Sequence, residues 1–448
     1  MGAKRIRTGA AVALFPAGLL AILAPPARGQ EEAPRRSSNV RVLSHVPLGP
    51  ALSVTDIVIE QDLSRPYAYV GRMQGSDKGF DIIDLRDPAR ARILYRWRIE
   101  DVDLHQGLGG MDPKYFKLGK RVYLVQSVQF APGPDNDTGA IVFDVTGLPN
   151  VSKIREVARI HAPDTPGGFH NIFMYKHSDG RALLFTTVRG THANVYDMEK
   201  VVKGRADEAL VGRIPLPETA AGGGNTPGGY HDMYVGYHSE SGQDRFYGGG
   251  TGGYFVFDVT DVDNPELLTS LTGINGVQWG HTFTPTPDGN FAVGETEYQY
   301  SPLRIYDLRP GLSGEVPTIT SPVSAWTADW RNLSHNHEMR WPYVFVSGYE
   351  DGLQVFNMMD PMNPTTVGYY DTYVGPHKAG MCSDAMCNGA FGVDVRNADG
   401  LIVVSDMSTG FWAFRMDGFQ GWDGRGWGMP NISSAQDWEN GPMGESGD

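Results

Sequence analysis

Five histidines in the middle of the chain stand in related settings. The segments TPGGFHN at 165–171 and TPGGYHD at 226–232 are near copies, and each carries its histidine, His170 or His231, just before a β-type run. QWGHTF places His281, and LSHNHEM places His335 and His337, at the corresponding start of the next two such runs. One histidine there would be read as a strand cap bonded to backbone carbonyls. Several at equivalent positions point instead to imidazoles converging on a transition-metal ion. Calcium and magnesium take oxygen shells, so the expected ion is iron or copper, with manganese and zinc as the other fits. A ligating imidazole needs an acceptor for its second ring nitrogen, and Glu295, Glu297, Glu350 and Asp406 end neighbouring strands. With an open coordination position the ion would serve an oxidoreductase acting on a small or apolar substrate. A second version is a metal-assisted polysaccharide lyase, in which His105 or Tyr230 takes the proton.

The elements that must hold these residues repeat along the chain. A strand-like run closing on aspartate recurs as GFDIID to Asp84, AIVFD to Asp144, ANVYD to Asp197, YFVFD to Asp258 and LRIYD to Asp307. LQVFN to Asn357 and FWAFRM to Met416 are degenerate copies, and the spacings run 60, 53, 61, 49, 50 and 59 residues. Each interval accommodates a four-stranded sheet, so seven copies predict an all-β, seven-bladed β-propeller. A second β-rich run precedes each copy, such as VYLVQ from Val122 or YVFVSG from Tyr343. A turn rich in Asp, Asn and Pro follows most of them, then an outer strand such as KIREVARI. On this frame His170, His231, His281 and the His335/His337 pair lie at one height in four consecutive blades. His105 is a looser fifth, while Asp56 and Gly392 take the place in the first and seventh blades.

The seventh copy runs into GFQGWDGRGWGMP and lacks an outer strand. NVRVLSHVPL, at 39–48, has the outer-strand pattern and is expected to pair with the last blade and close the ring. The copies, with their Asp-Pro turns and trailing outer strands, resemble the LVIVD-repeat propellers of exported bacterial proteins over residues 40 to 418. That resemblance implies the fold and export and leaves the activity open, because propellers host unrelated functions.

Residues 1–29 carry Lys4, Arg5 and Arg7, an apolar run from Gly9 to Ala24 and the small-residue pattern Ala27-Arg28-Gly29. This is the layout of a secretory signal peptide, followed by a linker at 30–38, the propeller at 39–418 and a Gly/Trp-rich tail at 419–448. The whole chain has 38 basic and 52 acidic residues. Cleavage removes four basic residues, leaving 34 against 52, a net charge near −18. Such a chain is unsuited to nucleic acid, and no later apolar run is long enough for a membrane span. A periplasmic or extracellular protein is expected. In that setting Cys382 and Cys387 would most simply form a disulfide, the alternative being a soft copper set of His377, Met381, Cys382, Met386 and Cys387. His45, His161, His177, His192 and His238 are left without a role. Gly222–Gly224 and Gly248–Gly250 read as turns or bulges, and Trp422 and Trp427 as packing residues with sugar stacking as the alternative. The partner is then a small molecule or glycan. In the competing reading, a non-catalytic binding propeller presents its loops to a protein.

Overall fold

The computed structural model describes residues 35–134, 136–218, 228–330, 332–373, 388–424 and 435–443. Seven four-stranded antiparallel sheets form the blades of a β-propeller. Six are built from consecutive strands, running from inner to outer edge in chain order. In the seventh, Ala390–Arg396, Leu401–Asp406 and Gly410–Met416 are completed by the N-terminal strand Val40–Val46, which pairs antiparallel with Gly410–Met416. The ring is thus closed by its two ends, and the last blade's edge is covered. Helix is confined, among the described residues, to Met198–Val202, Arg309–Leu312 and a few 3-10 turns.

Middle strands such as Tyr67–Arg72 and Ala182–Thr187 are buried along their whole length because a neighbouring blade packs on each face. Aromatic side chains fill the seams: Phe173 meets Tyr234 at 5.3 Å, and Tyr254 stacks on Phe283 at 4.7 Å. The described part of the tail joins this core. Phe419 packs on Phe345, Trp422 donates from Nε1 to the Trp341 carbonyl at 3.0 Å, and Trp438 is buried beside Phe116.

The repeated aspartate has a local cause. Each closes its strand by accepting, on Oδ1, the amide hydrogen two residues on: Arg86 to Asp84 at 3.1 Å, Thr146 to Asp144 at 2.9 Å, Thr260 to Asp258 at 2.9 Å and Arg309 to Asp307 at 3.1 Å. Asn357 does the same for Met359 at 2.7 Å, and Asp197 both closes its strand and caps the helix behind it, accepting from Glu199 at 2.9 Å. The short side chain thereby satisfies backbone that has left the sheet. Asp197→Ala is expected to lower the unfolding free energy by about 1 kcal/mol, and Asp197→Asn, which keeps the acceptor, by much less. Urea denaturation of both variants checks this.

Candidate metal centre

The inner strands begin with a shared pattern. The amides of Asp112, Asn171, Asn336 and Gly392 donate to hydroxyls on their neighbouring second strands: Ser127 at 2.9 Å, Thr187 at 3.1 Å, Ser347 at 3.2 Å and Ser405 at 3.1 Å. The residue just before each therefore occupies one height, and the same offset extends to the other three blades. That layer reads Thr55, Met111, His170, His231, His281, His335 and Phe391. In the fourth blade the register slips between Tyr230 and Asp232, so His231 is the extra residue of a β-bulge. Bulges re-aim side chains at sheet margins, and this one turns an imidazole toward its neighbours. Close approach of the next blade is allowed by Gly249, where a Cβ would stand 1.8 Å from the His281 carbonyl oxygen. Gly248–Gly250 thus belong to a strand interior (Gln243–Gly250) rather than to a turn.

Four imidazoles form an arc. Ring centres lie 4.4 Å apart for His170 and His231, 4.0 Å for His231 and His281, and 5.0 Å for His281 and His335. Phe391 abuts the end of the arc, 3.8 Å from His335. Glu297 reaches into it, with Oε2 3.4 Å from His281 Nε2 and Oε1 3.8 Å from His335 Nε2. Ligand atoms of His231, His281 and Glu297 all lie within 4.8 Å of one another.

Other groups fix these side chains. His170 Nδ1 is 2.8 Å from Gln129 Oε1, His335 Nδ1 is 2.6 Å from the Phe391 carbonyl, and His281 Nδ1 is 3.0 Å from the Thr282 hydroxyl, with Glu295 Oε2 2.7 Å away as a charge contact. An acceptor at Nδ1 places the proton there and leaves Nε2 with a lone pair. The Tyr349 hydroxyl donates to Glu297 Oε1 at 2.6 Å, and the Glu297 amide donates to Glu295 Oε1 at 2.5 Å. Glu297 has φ +48, a conformation unusual for a residue with a side chain, which is held by these bonds.

Burial, with the nearby His281 adding to it, holds His170 down to about 3 and His231 and His335 well below the usual imidazole range. They are neutral at physiological pH, the form that ligates metals. Burial pushes the carboxyls of Glu295 and Glu297 up, the latter opposed by His281 and Tyr349. His231 Nδ1 and His281 Nε2 are buried with no hydrogen-bond partner. Orphaned imidazole nitrogens beside a desolvated carboxylate fit a transition-metal cation, which would satisfy all three.

Several expected site residues lie elsewhere. His337 is two residues beyond the imidazole layer, facing a narrow axial cavity with Asp56, Asp112, Lys114, Asp232 and Glu338; no ring contact among the described residues joins it to the arc. Asp56 and Gly392 fall one residue past the layer, whose members there are Thr55 and Phe391. His105 is not the second blade's contribution, since Met111 holds that place. Its Nδ1 is 3.1 Å from Asp137 Oδ1 and its ring stacks on Phe130. The Tyr230 hydroxyl donates to the Pro215 carbonyl at 2.9 Å, and burial pushes its ionisation well up. Neither His105 nor Tyr230 is therefore placed as the base of a lyase.

Of the four expected carboxylates, Glu295 touches His281 and Glu297 faces the ligand atoms directly. Asp406 instead closes a turn, accepting from the Thr372 hydroxyl and the amides of Ser408 and Thr409, and Glu350 is buried in the turn after Tyr349. Gln129 and Tyr349 escaped the sequence reading because neither lies in a repeated segment. His377, Met381, Cys382, Met386 and Cys387, with Gly222–Gly224 and Trp427, lie outside the described residues. His45 stacks on Trp412, and His177 is buried against Asp244.

No family model matches the chain, and no curated protein does. Among solved structures the chain is similar to Raptor of Chaetomium thermophilum, with TM-score 0.55 and 9% identity over 87% of this chain. The match spans 30% of that chain, and at this identity it concerns the fold alone. No helix among the described residues is long and apolar enough to cross a membrane.

Proposed function

We propose that this protein is an exported metalloenzyme that holds one transition-metal ion between His231, His281 and Glu297, with His170 and His335 flanking the site. The observation that carries this reading is the pair of buried, partnerless nitrogens, His231 Nδ1 and His281 Nε2, in a layer where a carboxylate completes a three-ligand set. Two histidines and one carboxylate with positions left open are the donor set of non-haem iron sites, so iron is the preferred ion and oxidoreductase chemistry the preferred class. Bound there, the ion would supply redox or Lewis-acid chemistry.

The chain's own residues do the positioning. The Thr282 hydroxyl orients His281 with Glu295 beside it, Gln129 orients His170, the Phe391 carbonyl orients His335, and Tyr349 holds Glu297. Access is from the side of His170 and His231, which line a cleft of 440 Å³. The LVIVD-type repeat and the basic-apolar N-terminal segment support export.

Elemental analysis of untagged protein from its native compartment tests the reading. About one equivalent of iron, or of another transition metal, per chain is expected. Less than about a tenth of an equivalent, with no uptake on adding iron, copper, manganese or zinc, would overturn it and leave a binding propeller.

A further inference from the structure

The cleft beside the arc has two chemically unlike sides. Val188, Tyr230 and Trp279 give it an apolar wall, and the edge of Trp279 meets the His231 ring at 5.1 Å. At the same cleft stands Arg189, exposed, whose guanidinium forms no ion pair or hydrogen bond among the described residues. Gln129 spends its carbonyl oxygen on His170 Nδ1, so its amide nitrogen, without a partner among the described residues, remains as a donor on the same wall. The carboxylates of the centre, Glu295 and Glu297, come from the fifth blade, whereas Arg189 follows the second strand of the third. Acceptors and donors therefore stand on opposite flanks of the arc.

In a chain with 52 acidic and 38 basic residues, an arginine unpaired among the described residues at the mouth of a cleft is a conspicuous local cation. Its planar fork matches a carboxylate, with the Gln129 amide as a further donor. A single cation on a largely apolar wall suits a monoanion with a hydrocarbon body better than a phosphate dianion. The 440 Å³ volume lies within the range of small-molecule sites.

We infer that the cleft binds a small organic carboxylate, its anionic head on Arg189 and Gln129 and its apolar body along Val188, Tyr230 and Trp279. This rests on the metalloenzyme reading only in calling the occupant a substrate; the cleft and its arginine stand without the ion.

The test is calorimetric titration with benzoate, phenylacetate and hexanoate, each against its own primary amide, and with inorganic phosphate. It is run on iron-loaded and chelator-stripped protein and on Arg189→Gln, with metal content measured on every sample. At least one carboxylate is expected to bind about tenfold more tightly than its amide in both metal states, phosphate is expected to bind more weakly than that acid, and Arg189→Gln is expected to erase the preference without changing metal content. Three outcomes would each overturn the inference: no acid preferred over its amide, phosphate bound as tightly as the acids, or a preference that requires the ion and survives Arg189→Gln. Failure of the metalloenzyme reading shows separately, as protein that takes up no metal whatever it binds in the cleft.

Discussion

Replacing His231 and His281 together by alanine is expected to take bound metal from about one equivalent per chain to less than about a tenth while the propeller stays folded. The physical reason is that these rings contribute little to packing that only a histidine could supply. His231 is the extra residue of a bulge, and its Nδ1 and the Nε2 of His281 are buried without partners, a cost to the metal-free fold. A chelator should therefore destabilise the wild type and leave the double variant unchanged. At a free metal concentration a thousandfold above Kd the difference is about 4 kcal/mol, read as a shift in unfolding midpoint. Glu297→Gln keeps an acceptor for the Tyr349 hydroxyl and removes only the charge, so it is expected to weaken metal binding with the fold intact. Glu295→Gln, which loosens the orientation of His281, should cost about 10- to 100-fold in affinity. Full retention of metal by the double variant would show that the arc is not the ligand set.

The fold was legible because a single short-range device recurs. Asp84, Asp144, Asp197, Asp258 and Asp307 each close a third strand through an Asx turn, and such a turn needs its residue at a fixed point of the sheet. The ring closure was legible for a related reason: the last blade had no outer strand, and the only spare one lay at 39–48, where Val40–Val46 is found. The imidazole layer was legible from the paired TPGG segments. Its register was not, because inner strands begin with irregularities, between Val54 and Ile57, Tyr230 and Asp232, and Ala390 and Gly392. Counting by alternation through a bulge displaces the reading, which is why Asp56 and Gly392 stood in for Thr55 and Phe391. His337 stood beside His335 for another reason: Asn336–Arg340 pairs with Tyr343–Ser347 without a break, and residues two apart on a strand share a face. Glu297 was placed as an outer partner rather than among the ligand atoms. Its approach depends on a left-handed turn and on Tyr349 from the next blade, and neither leaves a local trace.

His337 offers the second large effect, one that concerns proton binding rather than metal. It is 3% exposed, and neither ring nitrogen makes a well-formed hydrogen bond among the described residues, the Val293 backbone being the polar neighbour that opposes burial. Burial, with the nearby His281 adding to it, holds its ionisation down to about 3. An imidazole in the unfolded chain titrates near 6.5, so below that pH the unfolded state takes up a proton that the native ring refuses. A folded-state value below the unfolded one means stability is lost as pH falls from about 6.5, and the loss levels off only near 3, where the native ring also protonates. Between pH 7 and pH 5 this single residue is worth about 2 kcal/mol of unfolding free energy. The carboxyls on the same cavity act in the opposite sense: burial raises Asp56, Asp112 and Asp232, so their protonation favours the fold as pH falls. The slope of the wild type is thus a sum of opposed contributions, and only a difference between proteins isolates the histidine. His337→Gln removes the titrating group and leaves those carboxyls in place. Urea unfolding of both proteins at pH 7 and pH 5 should show the wild type losing about 2 kcal/mol more than the variant. Equal losses would mean that the native ring accepts its proton as readily as the unfolded chain does, and the axial cavity would then have to be hydrated enough to carry that charge.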